Sequence, residues 1–296
     1  MMFSGSMTAL VTPFKNGKVD ESTLKKLIDF QITNGTRGLV PCGTTGESST
    51  LSHHEHDRVI EITVKHSAGR IPVIAGTGSN STAETIRLTE HAKNVGADAC
   101  LVIVPYYNKP TQSGLLAHFT KVADTVDIPI IMYNIPGRTA INMLPETIAQ
   151  LSQHKNIIGV KEASGNLAQV SQIISLCNII VLSGDDALTL PILSVGGKGV
   201  ISVASNIVPR DIDEMVSSFD KGNLVKARRI HYKLFPLFKD LFIETNPAPL
   251  KTAMAFLDMI EEEIRLPLVP LQETNKARIK ILLEEYGLLK KEAPAA

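Results

Sequence analysis

The stretch Ile157-Ile158-Gly159-Val160-Lys161-Glu162-Ala163 begins as an apolar run, which two charged residues, Lys161 and Glu162, bring to an end. Short runs of this kind, rich in Ile and Val, recur along the chain with helical patterns between them. We predict eight strands, which end near Leu10, Val40, Ala75, Val104, Asn134, Lys161, Ser183 and Ser202. Successive ends lie about 19 to 35 residues apart, the span of one strand–helix–strand unit. The chain is therefore predicted to be an α/β protein, a closed (β/α)8 TIM barrel.

The segments between these runs carry helix-start signals. Ser52-His53-His54-Glu55 and Ser81-Thr82-Ala83-Glu84 fit the capping box, in which serine and glutamate side chains accept hydrogen bonds from free backbone amides. The alternative to a barrel is an open doubly wound sheet, whose first strand normally leads into a Gly-rich dinucleotide loop. Leu10-Val11-Thr12-Pro13 is not such a loop, so the barrel is favoured.

The alternation of strands and helices stops after Pro209. The remaining sequence predicts helices over residues 211–222, 223–241, about 248–264 and 272–287. We therefore predict a barrel with the active site over residues 1–222, followed by an appended C-terminal helical region over residues 223–296.

Composition narrows the possible functions. The 296 residues contain 30 Lys and Arg against 30 Asp and Glu, and this balance argues against a nucleic-acid partner, which needs a basic surface. Three cysteines are too few for a disulfide framework or a paired-cysteine zinc site. The N-terminus lacks a secretory pattern, and no run of 18 residues is wholly apolar. We expect a cytoplasmic protein that binds a small substrate and no membrane.

Lys161 is the most informative candidate for chemistry. Reactive groups of a (β/α)8 barrel lie at the carboxyl ends of its strands, and Lys161 ends an apolar strand. Gly159 is predicted to lie on the same face and to leave open space beside the ammonium group. A desolvated lysine has a lowered pKa, and its neutral amine can attack a carbonyl carbon. The alternative is a strand-end lysine that is paired with Glu162.

Other strand ends add polar groups of matching chemistry. Tyr133 ends the neighbouring strand and could relay the protons that imine formation requires. Arg138 follows it and could bind a carboxylate through two hydrogen bonds. Gly43-Thr44-Thr45-Gly46-Glu47 offers hydroxyl groups and amides in a tight turn, which suits a carboxylate, and it is not a phosphate-binding P-loop.

In combination, these motifs resemble the dihydrodipicolinate synthase family of pyruvate-dependent class I aldolases, and the resemblance covers essentially the whole chain. The segments that carry it are Gly43–Glu47, Pro105–Asn108, Tyr133–Arg138, Gly159–Ala163, Ser183–Asp186 and Gly199–Ser202. N-acetylneuraminate lyase shares the Tyr and Lys but lacks an arginine at the place of Arg138, so that residue favours the synthase.

The resemblance implies a lyase that condenses pyruvate with L-aspartate 4-semialdehyde to 4-hydroxy-tetrahydrodipicolinate, the first committed step toward diaminopimelate and lysine. Lys161 would form an imine with pyruvate, and no cofactor or metal is implied. The implied catalytic residues are Lys161, Tyr133, Thr44 and Tyr107, of which Tyr107 would reach in from a neighbouring subunit of a homotetramer, a dimer of dimers. The implied substrate-binding residues are Thr45, Arg138, Gly184 and Ile201.

Three histidines, His53, His54 and His56, stand at a helix start and leave several interpretations open. They could be solvated first-turn side chains, or His53 and His56 could hold a metal ion because they share a face. The resemblance implies a third function, binding of the feedback inhibitor L-lysine. The residues it assigns to this site are Ser48, Ser49, His53, His56, Asn80, Glu84 and Tyr106.

Three other functions compete with the synthase. A metal-dependent lyase could use Glu162, Asp185 and Asp186 as ligands at adjacent strand ends. A protein that only binds a metabolite or partner would usually have lost Lys161 or Tyr133. The third alternative is a sister pyruvate-dependent aldolase that acts on a sugar acid such as N-acetylneuraminate.

Overall fold

The eight predicted strands form one closed parallel barrel. The structure is a computed structural model that describes residues 2–290. The barrel strands are β1 (Gly5–Ala9), β2 (Gly38–Val40), β3 (Ile74–Gly76), β4 (Ala99–Ile103), β5 (Ile130–Asn134), β6 (Ile157–Glu162), β7 (Ile180–Ser183) and β8 (Gly199–Ser202). Each ends within one residue of its predicted position, so the predicted fold class is confirmed.

The sheet order is β2-β1-β8-β7-β6-β5-β4-β3, with every pairing parallel. A bridge between Leu39 and Val73 closes the circle from β2 to the start of β3. The amide of Leu39 donates to Pro72 O (2.9 Å), and that of Gly76 donates to Pro41 O (2.9 Å). The carboxyl ends of all eight strands therefore meet at one rim, where the loops that carry the candidate residues converge.

The helices surround the barrel and continue beyond it. They are α1 (Glu21–Thr33), α2 (His53–Ser67), α3 (Thr82–Val95), α4 (Gln112–Thr125), α5 (Pro136–Thr139), α6 (Pro145–Leu151), α7 (Leu167–Leu176), α8 (Thr189–Ser194), α9 (Pro209–Asp220), α10 (Leu224–Asp240), α11 (Ala248–Phe256) and α12 (Glu273–Tyr286). None of these helices within residues 2–290 is long and apolar enough to cross a membrane.

The C-terminal region contains the expected helices, with one correction. The prediction of a helix over residues 248–264 is wrong from residue 257 onward, because α11 ends at Phe256. Asp258 adopts a left-handed conformation (φ +54°), which an α-helix cannot continue through. The division into residues 1–222 and 223–296 stays a prediction, and residues 291–296 lie outside the described part of the chain.

A buried ion pair attaches this C-terminal region to the loop after β2. Glu47 and Lys251 pair where both side chains are excluded from water, and Lys251 is 1% exposed. The Lys251 ammonium also donates to Glu263 O (2.9 Å) and lies 4.0 Å from the centre of the Phe14 ring. The amide of Arg265 donates to the second Glu47 oxygen (3.1 Å). Since the loop also contains Thr44 and Thr45, this pair positions part of the candidate site.

Removal of the Lys251 charge tests the attachment. Lys251→Met leaves the Glu47 carboxylate buried without its cation, and we expect the free energy of unfolding to fall by about 3–5 kcal/mol. Urea denaturation monitored by circular dichroism measures the change. Lys15→Met is the matched control, because Lys15 also binds a C-terminal glutamate, Glu261, but on the exposed surface. Equal losses in the two variants would contradict a special role for the buried pair.

Candidate active site

Lys161 and Tyr133 lie side by side in the barrel. They are register partners on β6 and β5, and the Lys161 Nζ lies 4.3 Å from the centre of the Tyr133 ring. Both side chains are buried, Lys161 at 6% exposure. Burial lowers the pKa of Lys161 to about 8, because it disfavours the charged ammonium; Asp186 opposes this shift and Arg138 adds to it. A substantial fraction of the amine is therefore neutral near pH 8.

The space around Lys161 differs from the prediction in one detail. A Cβ atom at Gly159 would lie 3.1 Å from Ile180 O and 3.4 Å from Ile131 Cγ1, so the expected open space beside Gly159 is absent. The inner layer of the barrel fills it. Gly184 makes the close approach instead, since a Cβ atom there would lie 3.1 Å from Lys161 Cε and 2.7 Å from Ala163 Cβ. A side chain at position 184 would collide with the reactive lysine.

Glu162 does not pair with Lys161. Its carboxylate accepts hydrogen bonds from the Ser164 amide (2.7 Å), Asn134 Nδ2 (3.0 Å) and Gln169 Nε2 (3.2 Å). Alternation along β6 directs the two charged side chains to opposite faces. The predicted alternative of a Lys161–Glu162 pair is therefore wrong, and the Glu162 network instead ties the ends of β5 and β6 together.

Tyr133 combines a buried ring with polar neighbours. Burial raises the pKa of its phenol to about 12, while the nearby Arg138 charge and a hydrogen bond with Thr44 act in the opposite direction. The group is a neutral phenol at physiological pH, able to donate a proton and to accept one through its oxygen. Tyr133, Thr44 and Arg138 also line a common cavity, so the structure brings these three predicted residues together.

Thr45 and Arg138 are linked through Asn246, a residue that was not predicted. Asn246 Nδ2 donates to Thr45 Oγ1 (3.0 Å), and Arg138 Nη2 donates to Asn246 O (3.2 Å). Asn246 lies 201 residues from Thr45 in the sequence. The only sequence signal at this position is the dipeptide Asn246-Pro247, which is typical of a turn and does not indicate a site residue.

Two further predicted residues differ in exposure: Ile201 is buried in the barrel, and Tyr107 lies on the surface. Ile201 is buried in the inner layer of the barrel, near Tyr133 and Leu182. Tyr107 is 88% exposed and adopts a left-handed conformation (φ +71°), which is costly for a residue with a Cβ atom. Within this single chain, Tyr107 does not line the cavity that Tyr133 lines.

A cavity of about 420 Å³ joins two sets of predicted residues. Its catalytic and substrate-binding members are Thr44, Tyr133 and Arg138, and its members from the predicted lysine site are Ser48, Ser49, His53, His56, Glu84 and Tyr106. The two sets thus share one volume at the carboxyl rim of the barrel. Asn80 is half-buried beside it, and its carbonyl oxygen accepts from Asn108 Nδ2 (2.8 Å).

Glu84 departs from its predicted capping role. The box at Ser52 is confirmed, with both of its hydrogen bonds present. At Ser81 only the serine hydroxyl caps the helix, by accepting from the Glu84 amide (3.4 Å). The Glu84 carboxylate binds the Ser79 hydroxyl and His53 Nε2 instead (2.7 Å to the histidine). The hydrogen bond from Ser79 is the main reason that the pKa of Glu84 is lowered, so the cavity wall carries a carboxylate charge.

The three histidines at the start of α2 differ in exposure to solvent. His53 is exposed, whereas His56 is buried and its Nδ1 has no hydrogen-bond partner within the described part of the chain, so the prediction of solvated side chains is wrong for His56. Burial lowers the pKa of His56 to about 4 and keeps the ring neutral at physiological pH. Within residues 2–290, no group of three or more His, Cys, Asp or Glu side chains is arranged to hold a metal ion.

The proposed metal ligands at the other strand ends are engaged separately. Asp186 Oδ2 accepts from the amides of Val203 (3.0 Å) and Ala204 (2.9 Å), and Asp185 Oδ1 accepts from that of Ala187 (2.9 Å). The bonds of Asp186 join the loop after β7 to the loop after β8.

Lys161 presents a buried amine at the end of a barrel strand, beside the buried phenol of Tyr133. This arrangement is typical of barrel enzymes that form an imine with a carbonyl substrate. Comparison with known proteins gives the family. The sequence model of the dihydrodipicolinate synthetase family matches residues 2–286, and the chain belongs to this family.

Individual relatives extend over nearly the whole chain. The 4-hydroxy-tetrahydrodipicolinate synthase of Syntrophus aciditrophicus is 57% identical over 290 residues, which cover 97% of this chain and all of the relative. The chloride-inhibited dihydrodipicolinate synthase of Acinetobacter baumannii, solved in complex with pyruvate, is 41% identical with a TM-score of 0.95, covering 97% of this chain and 99% of the other. The enzyme of Cyanidioschyzon merolae, solved with lysine bound, is 42% identical with the same TM-score and coverage.

The lowered pKa of Lys161 predicts a pH dependence. Below pH 8 the amine is increasingly protonated, so the rate of imine formation should fall about tenfold per pH unit, and above pH 8 it should level off. Asp186→Asn removes a charge that favours the ammonium, and it should move the profile to lower pH. Stopped-flow measurement of imine formation with pyruvate gives the profile.

Asp185→Asn is the matched control, because Asp186, and not Asp185, is the acidic neighbour that raises the pKa of Lys161. A profile in Asp186→Asn that coincides with the control would show that Asp186 does not set the amine pKa.

Proposed function

We propose that this protein condenses pyruvate with L-aspartate 4-semialdehyde to 4-hydroxy-tetrahydrodipicolinate. The observation that carries the proposal is the buried Lys161 amine, whose Nζ lies 4.3 Å from the centre of the Tyr133 ring. Full-length relatives named as this synthase support the choice of substrates. They do not support the alternative of an aldolase for a sugar acid.

The proposed reaction begins at the neutral amine. Lys161 Nζ attacks C2 of pyruvate, and the resulting carbinolamine loses water to form an imine. Loss of a proton from C3 gives an enamine, whose C3 forms a bond to the aldehyde carbon of the semialdehyde. The amino group of that substrate then attacks C2, closes the ring and releases Lys161. One water leaves per cycle, and the lysine is regenerated.

The surrounding residues suit the proton and charge movements of these steps. We assign the proton relay to Tyr133, Thr44 and Tyr107, the pyruvate carboxylate to Thr45 and the semialdehyde carboxylate to Arg138. Gly184 and Ile201 would line the pocket. The close approach of Gly184 to Lys161 Cε supports its part, because a larger residue would displace the amine.

Tyr107 belongs to the proposal only if a second subunit is present. Tyr107 is exposed and its backbone is left-handed, and both features suit a side chain that extends toward a neighbouring subunit. We propose a homotetramer, a dimer of dimers, in which the partner's Tyr107 completes each site; sedimentation velocity measures this assembly directly.

We also propose a cytoplasmic location, supported by the three free cysteines, which suit a reducing compartment.

Borohydride trapping tests the reaction. Incubation with pyruvate and sodium borohydride should reduce the imine and add the pyruvate-derived group to the peptide that contains Lys161, as measured by mass spectrometry. Lys161→Arg should show no addition and no activity. Assays with aspartate semialdehyde and with N-acetylneuraminate then compare the two second substrates. An unmodified Lys161 in active enzyme would overturn the mechanism.

We propose that L-lysine inhibits the enzyme by binding in the same cavity. The Glu84 carboxylate supplies a partner for an ammonium group, and the N-terminus of α2 beside His53 favours a carboxylate. The complete set is Ser48, Ser49, His53, His56, Asn80, Glu84 and Tyr106. The relative solved with lysine bound supports this proposal.

Glu84→Gln tests the inhibitor site. The change removes the anion and keeps the size of the side chain, so we expect the half-inhibitory concentration of L-lysine to rise at least tenfold while activity without lysine stays within twofold. Steady-state assays with increasing lysine measure both values. Glu90→Gln, on the exposed surface of the same helix, is the matched control. Inhibition that is unchanged in Glu84→Gln would place lysine elsewhere.

A further inference from the structure

Asn246 lies where the C-terminal region contacts the loops of the barrel. It is 3% exposed and lines the cavity next to Arg138. Its Oδ1 atom is buried and has no hydrogen-bond partner among the described residues. The hydrogen bond from Nδ2 to Thr45 Oγ1 is therefore the contact that fixes the orientation of the amide. A buried amide that leaves one polar atom unpaired is costly, which calls for a functional explanation.

The direction of this hydrogen bond has a chemical consequence. The Thr45 oxygen accepts from the Asn246 amide, so the hydroxyl hydrogen of Thr45 is left free to donate elsewhere. A hydroxyl held in this way is prepared to donate to a carboxylate oxygen. Thr45 itself is buried and keeps this orientation without competition from water.

The main chain of Asn246 makes a separate contact. Its carbonyl oxygen accepts from Arg138 Nη2 (3.2 Å), and this bond does not depend on the identity of the side chain. One residue of the C-terminal region thus contacts Thr45 through its side chain and Arg138 through its backbone.

We propose that Asn246 is a positioning residue whose side chain holds the Thr45 hydroxyl ready for the carboxylate of the first substrate, pyruvate. Its backbone meanwhile supports Arg138 for the carboxylate of the second substrate. The inference rests on the proposed function, since it takes its substrates from there. It adds that the two carboxylate sites respond differently to substitution at position 246.

The test compares the two substrates in Asn246→Ala. The half-saturating pyruvate concentration for borohydride trapping at Lys161 should rise about tenfold, because the Thr45 hydroxyl is no longer held ready to donate to the charged carboxylate. The KM for aspartate semialdehyde should stay within twofold of its wild-type value, because the carbonyl oxygen that binds Arg138 remains. Failure of trapping in the wild-type enzyme would refute the proposed function itself, whereas trapping with unaltered half-saturation in Asn246→Ala refutes only the role of Asn246.

Three further variants separate positioning from general destabilisation. Thr252→Val removes a buried hydroxyl of α11 that binds Glu262 Oε1 (2.7 Å), away from the cavity, and should leave pyruvate half-saturation unchanged. Asn246→Ala combined with Thr45→Val should weaken pyruvate no more than Thr45→Val alone, because both changes remove the same contact. Additive effects, or equal rises for both substrates, would contradict the proposal.

Asn246→Asp keeps the size of the side chain, and it replaces Asn246→Ala as the test variant if the alanine variant does not fold. Its carboxylate would accept the Thr45 hydroxyl hydrogen and withdraw it from the substrate. Pyruvate half-saturation should then rise by at least as much as in Asn246→Ala. A value within twofold of wild type in Asn246→Asp would equally overturn the role of Asn246.

Discussion

The parallel pairing of eight strands, closed where Leu39 meets Val73, is the constraint on which the rest of the molecule depends. Closure brings the ends of β5 and β6 together and places Tyr133 directly beside Lys161. It also encloses the inner layer of side chains that keeps water from the lysine amine. The chemistry of the amine is thus a product of the barrel's geometry, because the same lysine on an open surface would remain a protonated ammonium.

The C-terminal region completes the rim that the barrel leaves open. Lys251 neutralises Glu47 at the base of the loop after β2, and Asn246 reaches the next polar group of that loop, Thr45. Arg265 adds hydrogen bonds to Glu55 at the start of α2. The C-terminal region therefore contacts the loop after β2 and the start of α2, while β5 and β6 supply Tyr133 and Lys161.

The sequence allowed the strands and the reactive pair to be predicted because both depend on local patterns. Apolar runs and their spacing located every strand end within one residue, and Lys161 stood out as a charge at the end of such a run. Asn246 and Lys251 could not be found in this way, since their partners lie about two hundred residues earlier and the contacts arise only when α11 packs on the rim. The site assignments that rest on family resemblance, Tyr107 among them, remain predictions.

The departure of Glu84 from the capping box has an evolutionary consequence. Helix α3 begins with the Ser81 hydroxyl as its cap and does not use the Glu84 carboxylate, which faces Ser79 and His53 instead. Replacement of this side chain therefore leaves the Ser81 cap of the helix in place, because that cap uses only the backbone amide of Glu84. If the proposed inhibitor site is correct, a lineage can gain or lose control by an end product through one substitution at this position, with the Ser81 cap and the reactive lysine in place.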